Sequence, residues 1–347
     1  MRGDKNIFQD KRILITGGTG SLGQALTKGI LSGRYGKPKK VMVFSRDEAK
    51  QHDMRLAFRN LTAATEEIIY RDSTEILDFQ IGDVRDFQSI ASAVRRADIV
   101  FNAAALKQVP ICEYFPYEAV STNILGAENI VRSIECMNTP VETVIGISTD
   151  KACKPVNVMG MTKAIQERVF VNANLRCERT RFICVRYGNV LASRGSVIPL
   201  FHSQIRDGRP VTITLPNMTR FLLSLEQAVE TVVAAYCQGK PGEIFVPRIP
   251  AARIEDIAKA LIGDRDIGIT EIGIRPGEKI HEIMVAEDEV FRTVERGDYY
   301  VIRPILPELD REKTEEQPIY GEYASNSDVM DFDATLKMLQ KNNLTLD

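Results

Sequence analysis

A hydroxyl, a carboxylic acid and an amine stand in a row at Thr149, Asp150 and Lys151. They end the apolar run 143–148, which reads as a buried strand of a parallel sheet. Open α/β sheets bind their ligands at the carboxyl ends of such strands. A proline loop over 154–157 follows, and Met159 and Lys163 then open a helical stretch. Four residues apart, these two share one helix face. Taken alone, the same residues fit a charged strand end and a solvated helix face equally well, so the elements around them decide.

The first such element is a short apolar strand over 12–16, followed at once by Gly17, Gly18, Thr19, Gly20, Ser21, Leu22 and Gly23 and by a helical pattern through Leu31. Between strand and helix, glycines at this spacing read as a dinucleotide-binding turn. Gly17 allows the tight turn, Gly20 lets backbone approach a pyrophosphate, and Gly23 lets helix pack on strand. The helix N-terminus offers free N–H groups to the anion. The second strand, 40–44, ends in Ser45, Arg46 and Asp47. Ser45 and Arg46 suit a 2′-phosphate and favour NADP, while Asp47 is read as the cap of the next helix. NAD is the alternative. After a fourth strand at 98–102, Ala103, Ala104 and Ala105 are small enough for a flat cofactor to lie against backbone.

Composition narrows the class. The chain has 347 residues, with 44% hydrophobic and 27% charged, which is ordinary for a globular protein. A net charge of -2 gives no electrostatic case for nucleic acid or an anionic membrane. Six cysteines are scattered without a C-x-x-C pair, and three histidines lack metal-ligand spacing. Reduced thiols in a cytoplasmic protein and no metal site are expected. The polar N-terminus does not read as a signal peptide, and no apolar run approaches the ~18 residues of a membrane helix.

Helices are expected over 48–59 and 119–137, strands over 77–81 and 182–187, and a polar surface insertion over 60–75. Strands alternating with helices predict a Rossmann-type, doubly wound parallel sheet. From Gly188 the pattern changes: a loop at 194–199, a helix to about 207, then short strands (211–214, 243–246) alternating with helices (225–237, 253–261). The expected organisation is an NAD(P)-binding domain over 1–190 with returning segments, a smaller interwoven substrate lobe over 191–306, and a loosely packed tail over 307–347 with one last helix at 333–341.

The glycine turn, residues 102–105, and Met159 with Lys163 resemble an extended short-chain dehydrogenase/reductase. The runs 103–110, 148–151, 186–190, 194–199, 218–221 and 275–279, in that order, narrow the resemblance to the bacterial UDP-N-acetylglucosamine 4,6-dehydratases of surface-glycan biosynthesis, in their short soluble form. It extends over about 11–304. One position departs from the wider superfamily: its usual catalytic tyrosine, four before the lysine, is Met159 here. A thioether cannot exchange a proton at that step.

The resemblance implies UDP-N-acetylglucosamine as substrate and a homo-oligomer. It implies a redox-neutral cycle of C4 oxidation, loss of water across C5 and C6, and hydride return to C6. Thr149 would bond O4, Asp150 would be the acid with a raised pKa, and Lys151 the base with a lowered one. Lys163 would hold the nicotinamide ribose. Cofactor contacts would take in residues 17 and 19–23, Ser45, Arg46, Asp83, Val84 and residues 103–105. Substrate contacts would fall on Lys107, Asn189, Arg194, Ser196, Val197, Pro199, Arg220, Arg275 and Glu278, with the arginines on the diphosphate. Two rivals stand beside this reading. A C4 epimerase of the same fold needs no acid at C6, so Asp150 and Lys151 speak against it. A cofactor-binding protein without activity is favoured by Met159 and opposed by the retention of Asp150, Lys151 and Lys163 together. Whether C5 is retained or inverted stays open.

Overall fold

A computed structural model describes residues 6–60, 75–137, 139–191, 196–310 and 319–346. Most of the insertion expected at 60–75, and Arg194, lie outside them. The apolar runs of the first half form β1 (Arg12–Thr16), β2 (Lys40–Ser45), β3 (Leu77–Ile81), β4 (Ile99–Asn102), β5 (Thr143–Ile147) and β6 (Arg181–Val185). All pair in parallel, in the order β3-β2-β1-β4-β5-β6. The order reverses between β1 and β4, and this is the crevice in which doubly wound sheets hold their ligands. The α/β Rossmann class expected from the sequence is the observed one.

The later strands are β7 (Asn189–Val190), β8 (Val211–Ile213), β9 (Thr219–Leu223), β10 (Ile244–Pro247), β11 (Ala251–Arg253), β12 (Ile269–Glu271), β13 (Ile283–Val285), β14 (Thr293–Arg296), β15 (Tyr299–Ile302) and β16 (Tyr323–Ala324). Of these, β10 returns to the main sheet in parallel beside β6, and β15 and β14 continue that edge antiparallel. Residues 243–246, read from the sequence as a short strand of the interwoven lobe, overlap β10 and so return to the central sheet. The reason is visible locally: every residue of β10 is buried, as a strand covered on both faces requires.

A second, smaller core gathers Leu191, Ile198, Phe201, Ile213, Met218, Leu222, Ile257 and Leu261. β9 is shared between the two, because Phe221 and Leu223 pack into the main core while Met218 and Leu222 serve the smaller one. The described part of the tail is docked, not loose. Helix Phe332–Lys341 places Leu339 fully buried in the smaller core, and Ser325 is also fully buried.

The helix expected at 119–137 is interrupted. A π-helical turn, Val120–Leu125, precedes the regular helix Gly126–Met137. Asn123, buried in that turn, accepts from the Leu106 N–H at 2.8 Å and donates to the Leu106 carbonyl at 3.0 Å and to Thr162 Oγ1 at 2.9 Å. These bonds give the wider turn a local return that an uninterrupted helix lacks, and they fix the loop after β4. Such turns recur at functional sites.

Candidate active site

A cleft of about 920 Å³ opens at the carboxyl ends of β1, β4, β5 and β6 and is closed on its far side by the smaller core. Its first wall is the turn after β1. Gly17 has φ +64°, and a Cβ there would lie 2.7 Å from the Ala103 carbonyl. At Gly23 a Cβ would meet the Gly18 Cα at 2.5 Å. Backbone therefore touches backbone, and helix Ser21–Leu31 starts flush against the cleft. Gly17, Gly20, Ser21, Leu22, Gly23, Ala103, Ala104, Ala105 and Lys107 all line it.

Thr19, Ser45, Arg46, Asp83 and Val84 do not line this cleft. Thr19 is buried and its carbonyl accepts from Gln24. Ser45 accepts from the Gln51 amide through both its carbonyl and its hydroxyl. Arg46 stands 3.6 Å from Asp83, at the adjoining ends of β2 and β3. Burial pushes the Asp83 carboxyl up, but hydrogen bonds from Arg85 outweigh it and hold the group below its ordinary value. Asp47 accepts from the Lys50 N–H at 3.0 Å, which is the capping role expected of it. Val84 is buried, and its carbonyl accepts from Asn129.

At the end of β5 the chain makes a single 3₁₀ turn, Asp150–Ala152, with Thr149 as its N-cap. That turn folds the three functional groups together. Thr149 Oγ1 donates to Asp150 Oδ1 at 2.7 Å, and Lys151 Nζ lies 3.1 Å from the same oxygen. Asp150 is 1% exposed, and Oδ2 has no hydrogen-bond partner among the described residues. Burial raises its pKa, opposed by Lys151 and assisted by Glu282. The sequence reading expected that direction.

For Lys151 it expected the opposite of what is found. Burial alone would lower the lysine, but Asp150 and Glu282 outweigh it and the pKa is raised. Nζ sits 3.0 Å from Glu282 Oε1, so the ammonium is flanked by two carboxylates. Glu282 was missed by sequence reasoning. It follows the 275–279 run closely and lies far along the chain from Lys151, so neither spacing nor periodicity links them. Its carboxyl is pushed up by burial, but Lys151 and Arg220 prevail and hold it below its ordinary value. Its Oε2, like Asp150 Oδ2, has no hydrogen-bond partner among the described residues.

Met159 and Lys163 both reach the cleft from helix Val158–Arg176. Met159 is buried in a small apolar seat with Cys112 and Ala119. Lys163 donates to the Ile147 carbonyl and to Gln166 Oε1. Burial lowers its pKa to about 8, because its bonded partners are neutral.

The other wall comes from the smaller core. Asn189, Ser196, Val197, Pro199, Arg220, Arg275 and Glu278 line it. Val197 and Pro199, expected in a loop, lie in the first turn of helix Val197–Arg206, with Ser196 as N-cap. The Ser196 hydroxyl has no partner among the described residues. Arg275 is exposed at the rim. Arg220 is buried, and its guanidinium donates to the carbonyls of Thr219, Ile280 and Lys279. Those bonds, with a 3.7 Å approach to Glu282, make it a clamp on the Glu282 segment. No cluster of metal-ligating side chains occurs among the described residues, and none of their helices is long and apolar enough to cross a membrane.

Comparison with known proteins agrees with this geometry. Residues 13–304 match the family model described as "Polysaccharide biosynthesis protein". The chain is 47% identical over 301 residues to a protein of Rickettsia conorii named UDP-glucose 4-epimerase, covering 85% of this chain and 84% of that one. Among solved structures, Pen from Bacillus thuringiensis superposes with a TM-score of 0.87 at 33% identity, covering 98% of this chain and 99% of that one. The dTDP-glucose 4,6-dehydratase DesIV from Streptomyces venezuelae, solved with NAD, shares the fold at a TM-score of 0.65 and 19% identity, over 78% and 86% of the two chains. The chain thus belongs to the polysaccharide biosynthesis protein family of nucleotide-sugar enzymes.

Proposed function

We propose that this chain is a UDP-N-acetylglucosamine 4,6-dehydratase. The observation that carries the reading is Asp150: wholly buried, bonded through Oδ1 to Thr149 and Lys151, with Oδ2 unpartnered beside the cleft. A carboxylate whose pKa is raised by burial can take up a proton and then give it, as the acid that a poor leaving group such as hydroxide requires.

The glycine turn and the N-terminus of helix Ser21–Leu31 fit a dinucleotide pyrophosphate: backbone closes on backbone at Gly17 and Gly23, and Gly20, Ser21 and Leu22 line the cleft where the helix begins. A nicotinamide cofactor held there would supply the hydride chemistry between sugar C4 and C6. Arg46, beside the end of β2, supports NADP over NAD as that cofactor, although DesIV was solved with NAD.

The chain's own groups then move the protons. Thr149 takes the O4 proton and passes its own to Asp150 Oδ1, across the 2.7 Å bond between them. No tyrosine is needed, and Met159 only packs. The resulting 4-ketone acidifies the proton on C5. Asp150 delivers the proton it has gained to the C6 hydroxyl, which leaves as water, while Lys151 faces C5. Lys163 holds the nicotinamide ribose, and its charge favours the developing oxygen anion at C4.

The substrate diphosphate falls to the N-terminus of helix Val197–Arg206, with the Ser196 hydroxyl, and to Arg275. Asn189 and Glu278 take sugar hydroxyls. Arg220 stays with Glu282 and is not a phosphate ligand in this reading. A second reading, C4 epimerisation, is favoured by the name of the Rickettsia relative. The two are separated by incubating the protein with UDP-N-acetylglucosamine in deuterated water and reading the product by proton NMR. A 6-deoxy-4-keto sugar carrying deuterium at C5 supports the dehydratase. A C4 epimer with C5 untouched sinks it.

A further inference from the structure

Lys151 as found is a poor base. Its ammonium lies between Asp150 Oδ1 at 3.1 Å and Glu282 Oε1 at 3.0 Å, and a charged amine has no lone pair to offer C5. Asp150 cannot relieve it, because in the proposed reaction Asp150 already carries the O4 proton when C5 is attacked. Glu282 is the other neighbour. Its side chain is 2% exposed and lines the cleft, with Oε2 unpartnered.

The chain fixes Glu282 from several sides. Its N–H donates to Ser325 Oγ at 2.9 Å, and its carbonyl accepts from the Ser325 N–H at 2.8 Å. Arg220 approaches Oε1 at 3.7 Å while spending its other bonds on the adjoining backbone. The neighbouring basic groups are committed elsewhere: Lys279 Nζ to the Cys153 carbonyl at 2.5 Å, and His281 Nδ1 to Thr219 Oγ1 at 2.8 Å. Lys151 is thus the single cation in hydrogen-bond contact with the Glu282 carboxylate among the described residues.

We propose that Glu282 accepts a proton from Lys151 and thereby makes the lysine the base of the elimination. The inference rests on the dehydratase reading. The C5–H bond breaks as its proton goes to Nζ, and Nζ passes one of its own protons to Glu282 Oε1. The C5 electron pair becomes the C5=C6 double bond, the C6–O bond breaks, and Asp150 protonates the departing oxygen. When hydride has returned to C6, Glu282 gives its proton back through Lys151 to C5, and the ion pair is restored. At rest the charges win over burial, holding Lys151 above and Glu282 below its ordinary value. Once Asp150 has gained the O4 proton, one of the two carboxylates that keep the ammonium charged is neutral, and burial then favours the neutral pair. Glu282 acts through Lys151 and is a positioning residue.

The test measures first-turnover formation of reduced nicotinamide and C5 deuterium exchange, with UDP-N-acetylglucosamine in deuterated water, on the parent and on two variants. Glu282→Gln is expected to form 4-ketone and reduced cofactor while C5 exchange falls by about 10²-fold or more, the range of a general base. Glu282→Asp, which keeps the charge but shortens the reach, is expected to exchange at an intermediate rate and guards against a glutamine variant that fails to fold. C5 exchange at the parent rate in either variant overturns the inference and leaves the dehydratase reading standing. Loss of the hydride step together with exchange, in a variant that melts at the parent temperature, overturns it as well. A parent that makes no 6-deoxy product overturns the function, and this inference with it.

Discussion

Two buried ionic clusters lie close together under the cleft, and they are built differently. In one, Arg186 holds Glu167 through Nε and Nη2 and Glu289 through Nη1 and Nη2, at 2.7–3.1 Å. Ser148 and Arg292 complete it, so that each of the four carboxylate oxygens has a partner. In the other, Lys151 joins Asp150 and Glu282, and one oxygen on each carboxylate has none. A buried polar atom left unbonded costs about 1–3 kcal/mol. The first cluster ties β6 to helix Val158–Arg176 and to the segment around Glu289. The second leaves its unsatisfied atoms beside the cleft, where a substrate hydroxyl can meet them. Saturation marks the structural cluster and incompleteness the reactive one.

That contrast is open to attack at several points, beginning where the effect is largest. Asp150→Asn should cut turnover by about 10²–10⁴-fold, yet leave the unfolding midpoint at or above that of the parent, because an amide has no charge to desolvate. A clear fall in stability would place Asp150 with the structural cluster. Arg186→Met should do the reverse. It strands two buried carboxylates and should cost about 3–5 kcal/mol of stability in urea unfolding, and whatever remains folded should still carry out C5 exchange.

Lys163 sharpens the comparison as a third buried cation, one bonded to neutral groups. Its charge is lost as pH rises through about 8, so first-turnover formation of reduced nicotinamide should decline above that pH, by about tenfold per unit for a required protonated group. Lys163→Arg stays charged and should show no such limb. A limb that persists in this variant assigns the titration elsewhere. The smallest effect is expected at Met159. Met159→Leu should change turnover less than about twofold and stability by under about 1.5 kcal/mol, because the side chain packs in an apolar cluster with Cys112 and Ala119. A loss comparable to that of Asp150→Asn would show that this position still takes part in the chemistry.

Much of this was legible in the sequence for physical reasons that act locally. Short apolar runs bounded by turns specify strands, and β1 to β6 fall where such runs predicted them. Gly17 and Gly23 announce a crossing so close that no Cβ fits. Thr149, Asp150 and Lys151 are adjacent, so their meeting at a strand end needed no tertiary knowledge, and the raised Asp150 carboxyl was expected from the acid role that the family resemblance implies. The family resemblance added an order of motifs, and the family match covers most of the same span.

What the sequence could not decide depends on groups that are distant in the chain and adjacent in space. Lys151 was expected to be lowered by burial, and the sign is reversed because Asp150 and Glu282, the latter arriving from another segment, together outweigh it. Arg220, expected on the diphosphate, donates to three backbone carbonyls that no spacing in the sequence announces. The return of β10 to the main sheet and the docking of Leu339 depend on which apolar surfaces cover one another. Local pattern determines where strands, turns and neighbouring functional groups occur, since those obey interactions over a few residues. Charge states and the partners of buried ions belong to the tertiary structure, because desolvation and Coulomb interactions depend on distance in space and not on separation along the chain.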